Sequence, residues 1–191
     1  MAETKKVILD AGHGGTTDPG AVYQGRQEKN DNLRMALAVG QILSEDGVDV
    51  GYTRVQDVYQ SPLQKAQMAN NWEADYFVSF HRNAMPVPGT ASGTESLIFS
   101  RGGEAEQLAS NINAELGQAG WNDLGTTERP GLIVLRKTEM PAVLVEVGFL
   151  DNPEDNQRFD AHFEHTARAI ADGILNTLRS PEGQPEYYQI Q

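Results

Sequence analysis

Short apolar runs alternate with longer segments of helical periodicity along most of the chain. Residues 6–10 form such a run, and a helical pattern follows over 28–46, where Gly47 supplies a stop signal. The same alternation predicts further strands at 48–53, 76–81, 93–100, 132–135 and 142–149, and further helices at 62–72, 103–119 and 159–179. Strands that alternate with helices of this length indicate an α/β fold with a largely parallel sheet.

One charged residue interrupts an apolar strand. Glu146 lies inside residues 142–149, which otherwise have the pattern of a strand buried on both faces. A carboxylate there must be neutralised, paired or placed beside a metal, because leaving it bare costs several kcal/mol. Glu146 is therefore either a functional-site residue or half of a buried ion pair, with Arg129 or Arg136 as its partner.

Length and composition indicate a single domain. The 191 residues are enough to bury one large core, and no segment is apolar enough to span a bilayer. Residues 180–185 read Ser-Pro-Glu-Gly-Gln-Pro, which is the composition of a linker or a frayed end. We therefore divide the chain into a folded domain at 1–180 and a tail at 181–191.

The net charge and the absence of cysteine limit which ligands and metal sites the chain can have. The net charge of −12 makes a grip on nucleic acid by phosphate neutralisation unfavourable. Because the chain contains no cysteine, disulfides and thiolate ligands are excluded, and any metal must be held by histidines and carboxylates. Residues 1–6 lack the apolar segment of a secretory signal, so we expect another export route, a mature form or an excised domain.

Two histidines stand where an open α/β sheet collects its functional groups. His13 and His81 each follow a predicted strand at its carboxyl end, and Glu28 begins the helix after the glycine-rich loop at 12–15. Two imidazoles and a carboxylate form a ligand set typical of catalytic zinc, with Glu146 as the adjacent base. The alternatives are solvated or core histidines and a Glu28 that only caps its helix. His162 and His165 are better explained as a polar helix face than as ligands.

Several ordered motifs resemble one enzyme family. They are Asp-Ala-Gly-His-Gly-Gly at 10–15, Asp-Pro-Gly-Ala at 18–21, Glu-Lys at 28–29, Asn-Leu at 32–33, Thr-Arg at 53–54, Ala-Asn at 69–70, Ser-Phe-His-Arg-Asn at 79–83 and Met-Pro-Ala-Val-Leu-Val-Glu-Val-Gly-Phe-Leu-Asp-Asn at 140–152. In this order they resemble the zinc-dependent N-acetylmuramoyl-L-alanine amidases of the type 3 amidase family. The resemblance covers about residues 5–178.

The resemblance implies a single α/β domain whose central, mostly parallel sheet has about six strands flanked by helices, with residues 1–180 as the zinc amidase catalytic domain. It implies that His13, Glu28 and His81 ligate one zinc ion. Glu146 would be the catalytic general base and acid, acting on a zinc-bound water. The implied substrate is peptidoglycan, cut between N-acetylmuramic acid and the L-alanine of the stem peptide.

This chain departs from the family pattern in two side chains. Lys65 stands where the family usually has Arg, and Arg82 follows His81 where a small residue is common. Strand alternation predicts that Arg82 points away from His81, although contact with a substrate carboxylate is an open alternative. Some members carry an autoinhibitory helix after the second histidine, but only residues 82–92 intervene here, which predicts an open site without an internal plug.

The resemblance also bears on partners and location. We expect a monomer that acts on peptidoglycan in the cell envelope or after secretion, without nucleic acid; a phage lysin or a spore-associated enzyme remains open. The chain has no binding repeat, so an activator or wall-binding partner protein is a further alternative. Two rival functions are another zinc hydrolase of carboxypeptidase type and a non-catalytic wall-binding module.

Overall fold

A computed structural model describes residues 4–179; the tail predicted at 181–191 lies outside these residues. The strands and helices follow in the order β1 (Lys6–Ala11), β2 (Val22–Tyr23), β3 (Arg26–Gln27), α1 (Glu28–Glu45), β4 (Asp49–Tyr52), α2 (Pro62–Asn71), β5 (Tyr76–Asn83), β6 (Thr94–Ile98), α3 (Gly103–Gln118), β7 (Asp123–Glu128), α4 (Ile133–Arg136), β8 (Ala142–Phe149), α5 (Pro153–Ala161) and α6 (Phe163–Arg179). Within this part of the chain, no helix is long and apolar enough to cross a membrane.

Six strands form one central sheet in the order β4-β1-β5-β8-β6-β7. The first four strands of this order run parallel to one another. Strand β6 runs antiparallel to β8, and β7 is parallel to β6, so the last two strands are reversed. The protein is a single α/β domain with a mostly parallel sheet flanked by helices, which confirms the fold expected from the sequence.

The two faces of the sheet bury alternate residues of the central strands. On β8, Val143 and Val145 join the larger core beneath α1, α3 and α6, whereas Leu144 points to a smaller core beneath α2 and α4. Helices α3 and α6 pack closely because Gly173 has no side chain: a Cβ there would lie 2.6 Å from the Ile112 Cα. Helices α2 and α4 cover the face with the smaller core, and the polar side chains described below lie at the edge of that face.

Several elements differ from the sequence predictions, among them the short strands β2 and β3, which were not predicted. The strand predicted at 132–135 is wrong: these residues lead into the short helix α4, whose Val134 and Leu135 are buried against the smaller core. The helix predicted at 159–179 is divided, because the chain turns at His162 between α5 and α6. Strand β7 was not predicted, since its sequence Asp-Leu-Gly-Thr-Thr-Glu is polar and it lies at the sheet edge.

The connection from β5 to β6 crosses the carboxyl end of β8, because β5 and β6 flank β8 in the sheet. Residues 84–93 contain no helix. They are tied to the segment after β8: the Met85 N–H donates to Asp151 Oδ2 at 3.0 Å, and Asn152 Nδ2 donates to the Ala91 carbonyl at 2.8 Å. The connection is therefore short and anchored at both ends.

Candidate metal centre

Three side chains converge at the carboxyl edge of the parallel strands. His13 follows β1, Glu28 is the first residue of α1, and His81 lies near the end of β5. One ligand atom from each lies within 4.8 Å of the others. His13 Nε2 is 3.3 Å from Glu28 Oε2, and His81 Nδ1 is 2.8 Å from Glu28 Oε1. The structure therefore brings together the three side chains that the sequence predicts to share a site.

Glycines give these side chains the space to meet. A Cβ at Gly12 would lie 2.3 Å from ring atoms of His81, and one at Gly20 would lie 2.5 Å from Glu28 Oε2. Gly20 also has a φ of +67°, a backbone conformation that residues with a side chain rarely adopt. Gly12 in the glycine-rich loop and Gly20 after it are thus required by close contact with the converging side chains.

The carboxylate of Glu28 is organised by more than the histidines. Its Oε2 accepts the Ala21 N–H at 2.8 Å, and its Oε1 accepts the Arg82 N–H at 3.1 Å and Asn32 Nδ2 at 3.2 Å. The position at the start of α1 adds the favourable end of the helix dipole. Glu28 is therefore held in one orientation, and helix capping alone does not account for its contacts.

Asp18 orients the imidazole of His13. Its Oδ1 lies 2.7 Å from His13 Nδ1, and because a carboxylate only accepts, Nδ1 carries the hydrogen. The other ring nitrogen, Nε2, is thereby directed toward Glu28. Such a carboxylate behind a histidine is a common arrangement at metal sites. The sequence reasoning missed Asp18, although it stands inside the Asp-Pro-Gly-Ala motif.

Buried polar side chains hold the backbone carbonyls that precede and include His13. Lys65 Nζ donates to the Ala11 carbonyl at 2.6 Å, and Arg54 donates to the carbonyls of Ala11 and Gly12 at 3.0 and 3.1 Å. Lys65 also pairs with the buried Asp10 carboxylate at 2.8 Å. His13 has a φ of 60°, which is unfavourable for a residue with a side chain. These contacts fix the loop in that conformation.

Glu146 lies beside the group in a row of polar residues across the sheet. It is opposite His81 on β5 and opposite Glu95 on β6, and residues paired in this way have side chains on the same face. Thr127 on β7 donates to Glu95 Oε1 at 2.5 Å and extends the row. Although the residue is partly exposed, Glu146 Oε2 is buried and has no hydrogen-bond partner.

The surroundings of Glu146 favour its neutral form. Burial raises the pKa of Glu146 to about 7, the nearby His81 opposes the rise, and the carboxylates of Glu28 and Glu95 add to it. Arg129 and Arg136 are exposed and form no ion pair with it in the part of the chain that the structure describes. The buried ion pair considered from the sequence is therefore wrong.

Without a metal, His13, Glu28 and His81 stabilise one another's charged forms. Burial opposes protonation of His13, but the hydrogen bonds and charges of Glu28 and Asp18 outweigh it and raise its pKa to about 9. The pKa of His81 is raised in the same way, against burial, chiefly by Glu28. Burial works against the Glu28 charge, yet the two histidines hold its pKa well below the usual range. A bound cation would replace these protons.

A groove of about 350 Å³ opens directly beside His13 and His81. It extends from the converging side chains toward α2 and α4. Its remaining walls are formed mainly by the following polar and apolar residues: Asp10, Asp18, Gln60, Pro62, Lys65, Leu132, Ile133, Val134 and Leu144. The converging groups are therefore accessible to a ligand from this side.

Arg82 points away from the group, as predicted. Its guanidinium donates to Asp31 Oδ2 at 2.6 Å and to Asn156 Oδ1 at 2.8 Å, and it lies 4.2 Å from the centre of the Phe159 ring. Burial lowers the pKa of Arg82 to about 10. With 2% of its surface exposed, Arg82 has no access to a substrate, so the alternative of a substrate contact is wrong.

The donor set fits zinc. Two imidazole nitrogens and a carboxylate oxygen are ordinary zinc ligands, and the observed separations require only small movements for all three to reach one ion at about 2.0–2.2 Å. The unpartnered Glu146 Oε2 lies beside them. Among residues 4–179 no other group of histidines and carboxylates has this geometry, and His162 and His165 are not part of one.

Comparisons with known proteins give matches to one enzyme family. Residues 7–176 match the sequence model of a family described as N-acetylmuramoyl-L-alanine amidase. A sporulation-specific N-acetylmuramoyl-L-alanine amidase of Bacillus subtilis is 37% identical over 88% of this chain and 66% of its own length. The N-acetylmuramoyl-L-alanine amidase CwlM of Bacillus licheniformis is 34% identical over 97% of this chain and 74% of its own.

A solved structure is similar over nearly the whole fold. The crystal structure of an N-acetylmuramoyl-L-alanine amidase from Clostridium difficile 630 superimposes with a TM-score of 0.88 at 33% identity, covering 94% of this chain and 99% of that one. The chain thus spans about two thirds to three quarters of the two sequence relatives and nearly all of this solved structure.

Proposed function

Because the chain belongs to the N-acetylmuramoyl-L-alanine amidase family, which consists of hydrolases that degrade peptidoglycan, we propose that it is a zinc-dependent amidase whose site is the His13–Glu28–His81 group with Glu146. The observation that carries this proposal is the convergence of two imidazoles and a carboxylate beside Glu146, whose Oε2 is buried and has no hydrogen-bond partner. The bond cut is the amide between the lactyl group of N-acetylmuramic acid and the first L-alanine of the stem peptide.

His13, Glu28 and His81 would hold the ion. A zinc ion at this site supplies Lewis acidity, which polarises the amide carbonyl and lowers the pKa of water there. Asp18 fixes the ring of His13, and the N–H groups of Ala21 and Arg82 fix the carboxylate of Glu28. The ligands are therefore oriented before any ion binds.

Glu146 moves the proton that the hydrolysis requires. It takes a proton from the attacking water as the oxygen bonds to the lactyl carbonyl carbon, and it gives that proton to the departing nitrogen as the C–N bond breaks. In the metal-free protein burial raises the pKa of Glu146, which favours the proton-carrying form that the second step requires, whereas a cation beside it would lower the pKa and favour the form that accepts the proton. The products are a lactyl carboxylate and a stem peptide with a free L-alanine amino terminus.

The family membership favours this function over its rivals. A carboxypeptidase-type hydrolase would release free amino acids from the end of the stem, whereas the proposed enzyme leaves the stem intact. A wall-binding module would need neither Glu146 nor a metal group. We propose that the enzyme acts as a monomer at the cell wall, in the envelope, outside the cell or on the spore. An activator or wall-binding partner protein is an alternative means of bringing it to its substrate.

Mass spectrometry of the fragments released from purified peptidoglycan tests bond, metal and base together. We expect wild-type protein with zinc to release intact stem peptides with L-alanine amino termini, and chelator to stop the release. Glu146→Gln should keep one zinc per chain and lose turnover by roughly 100- to 10,000-fold. His13→Ala should lose the zinc itself, because it removes a ligand.

Glu45→Gln, an exposed change at the far end of α1, serves as the control and should keep both zinc and turnover. Near wild-type turnover by Glu146→Gln would contradict the role of the base. Release of terminal amino acids in place of whole stems would contradict the proposed bond.

A further inference from the structure

A buried pair of opposite charges lies between α1 and the end of β5, close to the proposed metal ligands. Arg82 on β5 is 2% exposed, Asp31 on α1 is 8% exposed, and the Arg82 guanidinium donates to Asp31 Oδ2 at 2.6 Å. Arg26 donates to the same carboxylate oxygen at 2.7 Å and also pairs with the more exposed Asp160. No step of the proposed reaction involves the pair of Arg82 and Asp31.

Stability alone is a weak explanation for this pair. Removing two charges from water costs about as much as their attraction returns, and apolar residues of similar volume often give equal or greater stability. Arg82 also has a buried Nε without a hydrogen-bond partner in the part of the chain that the structure describes, which adds a further cost. A pair with these costs favours a role in positioning over a role in stability.

Main-chain pairing is irregular around Arg82. The pairing of β5 with β1 ends at Phe80, and the register of β5 with β8 shifts between His81 and Asn83. The Arg82 N–H donates instead to Glu28 Oε1 at 3.1 Å. Because regular strand pairing does not direct this N–H toward Glu28, the contacts of the Arg82 side chain become important for its position.

The Arg82 side chain connects three elements at this point. It pairs with Asp31, which follows Glu28 by three residues, and residues at this spacing are neighbours on one face of a helix. It also donates to Asn156 Oδ1 of α5 at 2.8 Å and lies against the ring of Phe159. Arg82 therefore contacts Glu28 through its main chain and the first turn of α1 through its side chain.

We propose that Arg82 is a positioning residue for the metal site. Its pair with Asp31 fixes the first turn of α1 against the end of β5, so that the Glu28 carboxylate and the His81 imidazole can reach the same ion. Arg82 itself contacts neither the ion nor the substrate. This inference rests on the zinc amidase function proposed above, and it adds a residue that determines how tightly the site holds its metal.

Zinc affinity, measured by competition with a chelator well below the Tm of every variant, tests the proposal. Arg82→Met keeps the main-chain N–H but removes the guanidinium, and Asp31→Asn removes the charge with which it pairs. We expect each variant to bind zinc about tenfold more weakly, as found for groups that orient metal ligands. The double variant should bind no more weakly than the weaker single variant, because both changes break the same contact.

Two further measurements separate positioning from a general loss of stability. Arg82→Lys keeps the charge but cannot reproduce the planar fork of donors, so it should restore only part of the zinc affinity. The visible absorption spectrum of the Co²⁺-loaded protein, which reports ligand geometry, should change in Arg82→Met. The control is Ile112→Ala, a buried core change on α3 beside Gly173, which should lower the Tm but leave the zinc affinity within about twofold and the Co²⁺ spectrum unchanged.

A lowered Tm of Arg82→Met with wild-type zinc affinity would overturn the proposal, because the pair would then only stabilise the fold. Losses of affinity that multiply in the double variant would also overturn it, because Arg82 would then act independently of Asp31. Both results would leave the amidase function intact. Failure of the wild type to bind one zinc ion per chain would instead contradict the proposed metal site, and this inference with it.

Discussion

Glu146 destabilises the metal-free protein when it is charged. Burial raises its pKa to about 7 from an ordinary value of 4.5, so the folded protein holds this proton more tightly than the unfolded chain does. The carboxyl group therefore contributes to stability below pH 4.5, and that contribution is lost as the pH rises through about 7. The group that we propose as the catalytic base is a source of instability until a cation lies beside it.

Replacing Glu146 with glutamine should remove this penalty. In the presence of chelator, Glu146→Gln should have a higher Tm than the wild type near pH 8 and the same Tm near pH 4, because only the charged form is disfavoured by burial. Thermal unfolding followed by circular dichroism at several pH values provides the measurement. The exposed Glu139→Gln is the control, and a Tm difference for Glu146→Gln that does not vary with pH would disagree with the assigned pKa.

At the scale of secondary-structure elements, the loop after β1 depends on residues from other elements. Lys65 on α2 holds the Ala11 carbonyl and neutralises Asp10, whose carboxylate also accepts from Thr53 and Ser79. Burial alone would raise the pKa of Asp10, but the charge and hydrogen bond of Lys65, with the two hydroxyls, keep it below the usual value. Lys65 thus connects helix α2 to the loop that carries His13.

Removing this cation should weaken both the fold and the metal site. Lys65→Met should lower the free energy of unfolding by about 3 kcal/mol, because the buried Asp10 loses its countercharge. Zinc affinity, measured by competition with a chelator, should fall by about tenfold or more, as found for groups that orient metal ligands. Lys65→Arg, the residue usual in the family, should restore both, since the groove beside Lys65 gives it room.

Exposed Lys137→Met is the control. Unchanged zinc affinity in Lys65→Met would show that the contact is not needed for the site.

Elements with a clear periodicity could be predicted from the sequence, and those determined by tertiary contacts could not. Helix α1 and strand β8 were found because their apolar residues recur at helical spacing or in one continuous run. The run at 132–135 resembles a strand, yet it is too short to show a period, and packing against the smaller core makes it helical. No glycine or proline lies beside His162 to indicate the turn there.

The same distinction applies to the site. His13, His81, Glu28 and Glu146 could be predicted because each is a polar residue at a strand or helix end, or inside an apolar run. Glu95 and Asp18 gave no such signal: they matter only because strand pairing and loop geometry bring them beside Glu146 and His13. Local sequence patterns do not give the distances between groups that are far apart in the chain.

At the scale of the whole molecule, the net charge of −12 opposes approach to a wall that carries anionic polymers. Raising the ionic strength from about 0.01 to 0.15 M shortens the screening length from about 30 Å to about 8 Å. Digestion of intact walls that retain their anionic polymers should therefore become faster, whereas digestion of walls stripped of these polymers should change little. Turbidity assays on the two preparations measure this, and a faster rate at low salt on intact walls would point to a basic surface or partner.

The connection between β5 and β6 also determines how the enzyme can acquire regulation. Residues 84–93 leave the sheet on one side of the strand that carries Glu146 and return on the other, with both ends tied to the segment after β8. Extra residues inserted here would extend over the edge that carries the proposed site without changing strand order, register or any proposed metal ligand. The length of this one connection therefore affects access to the proposed site independently of the residues that form it.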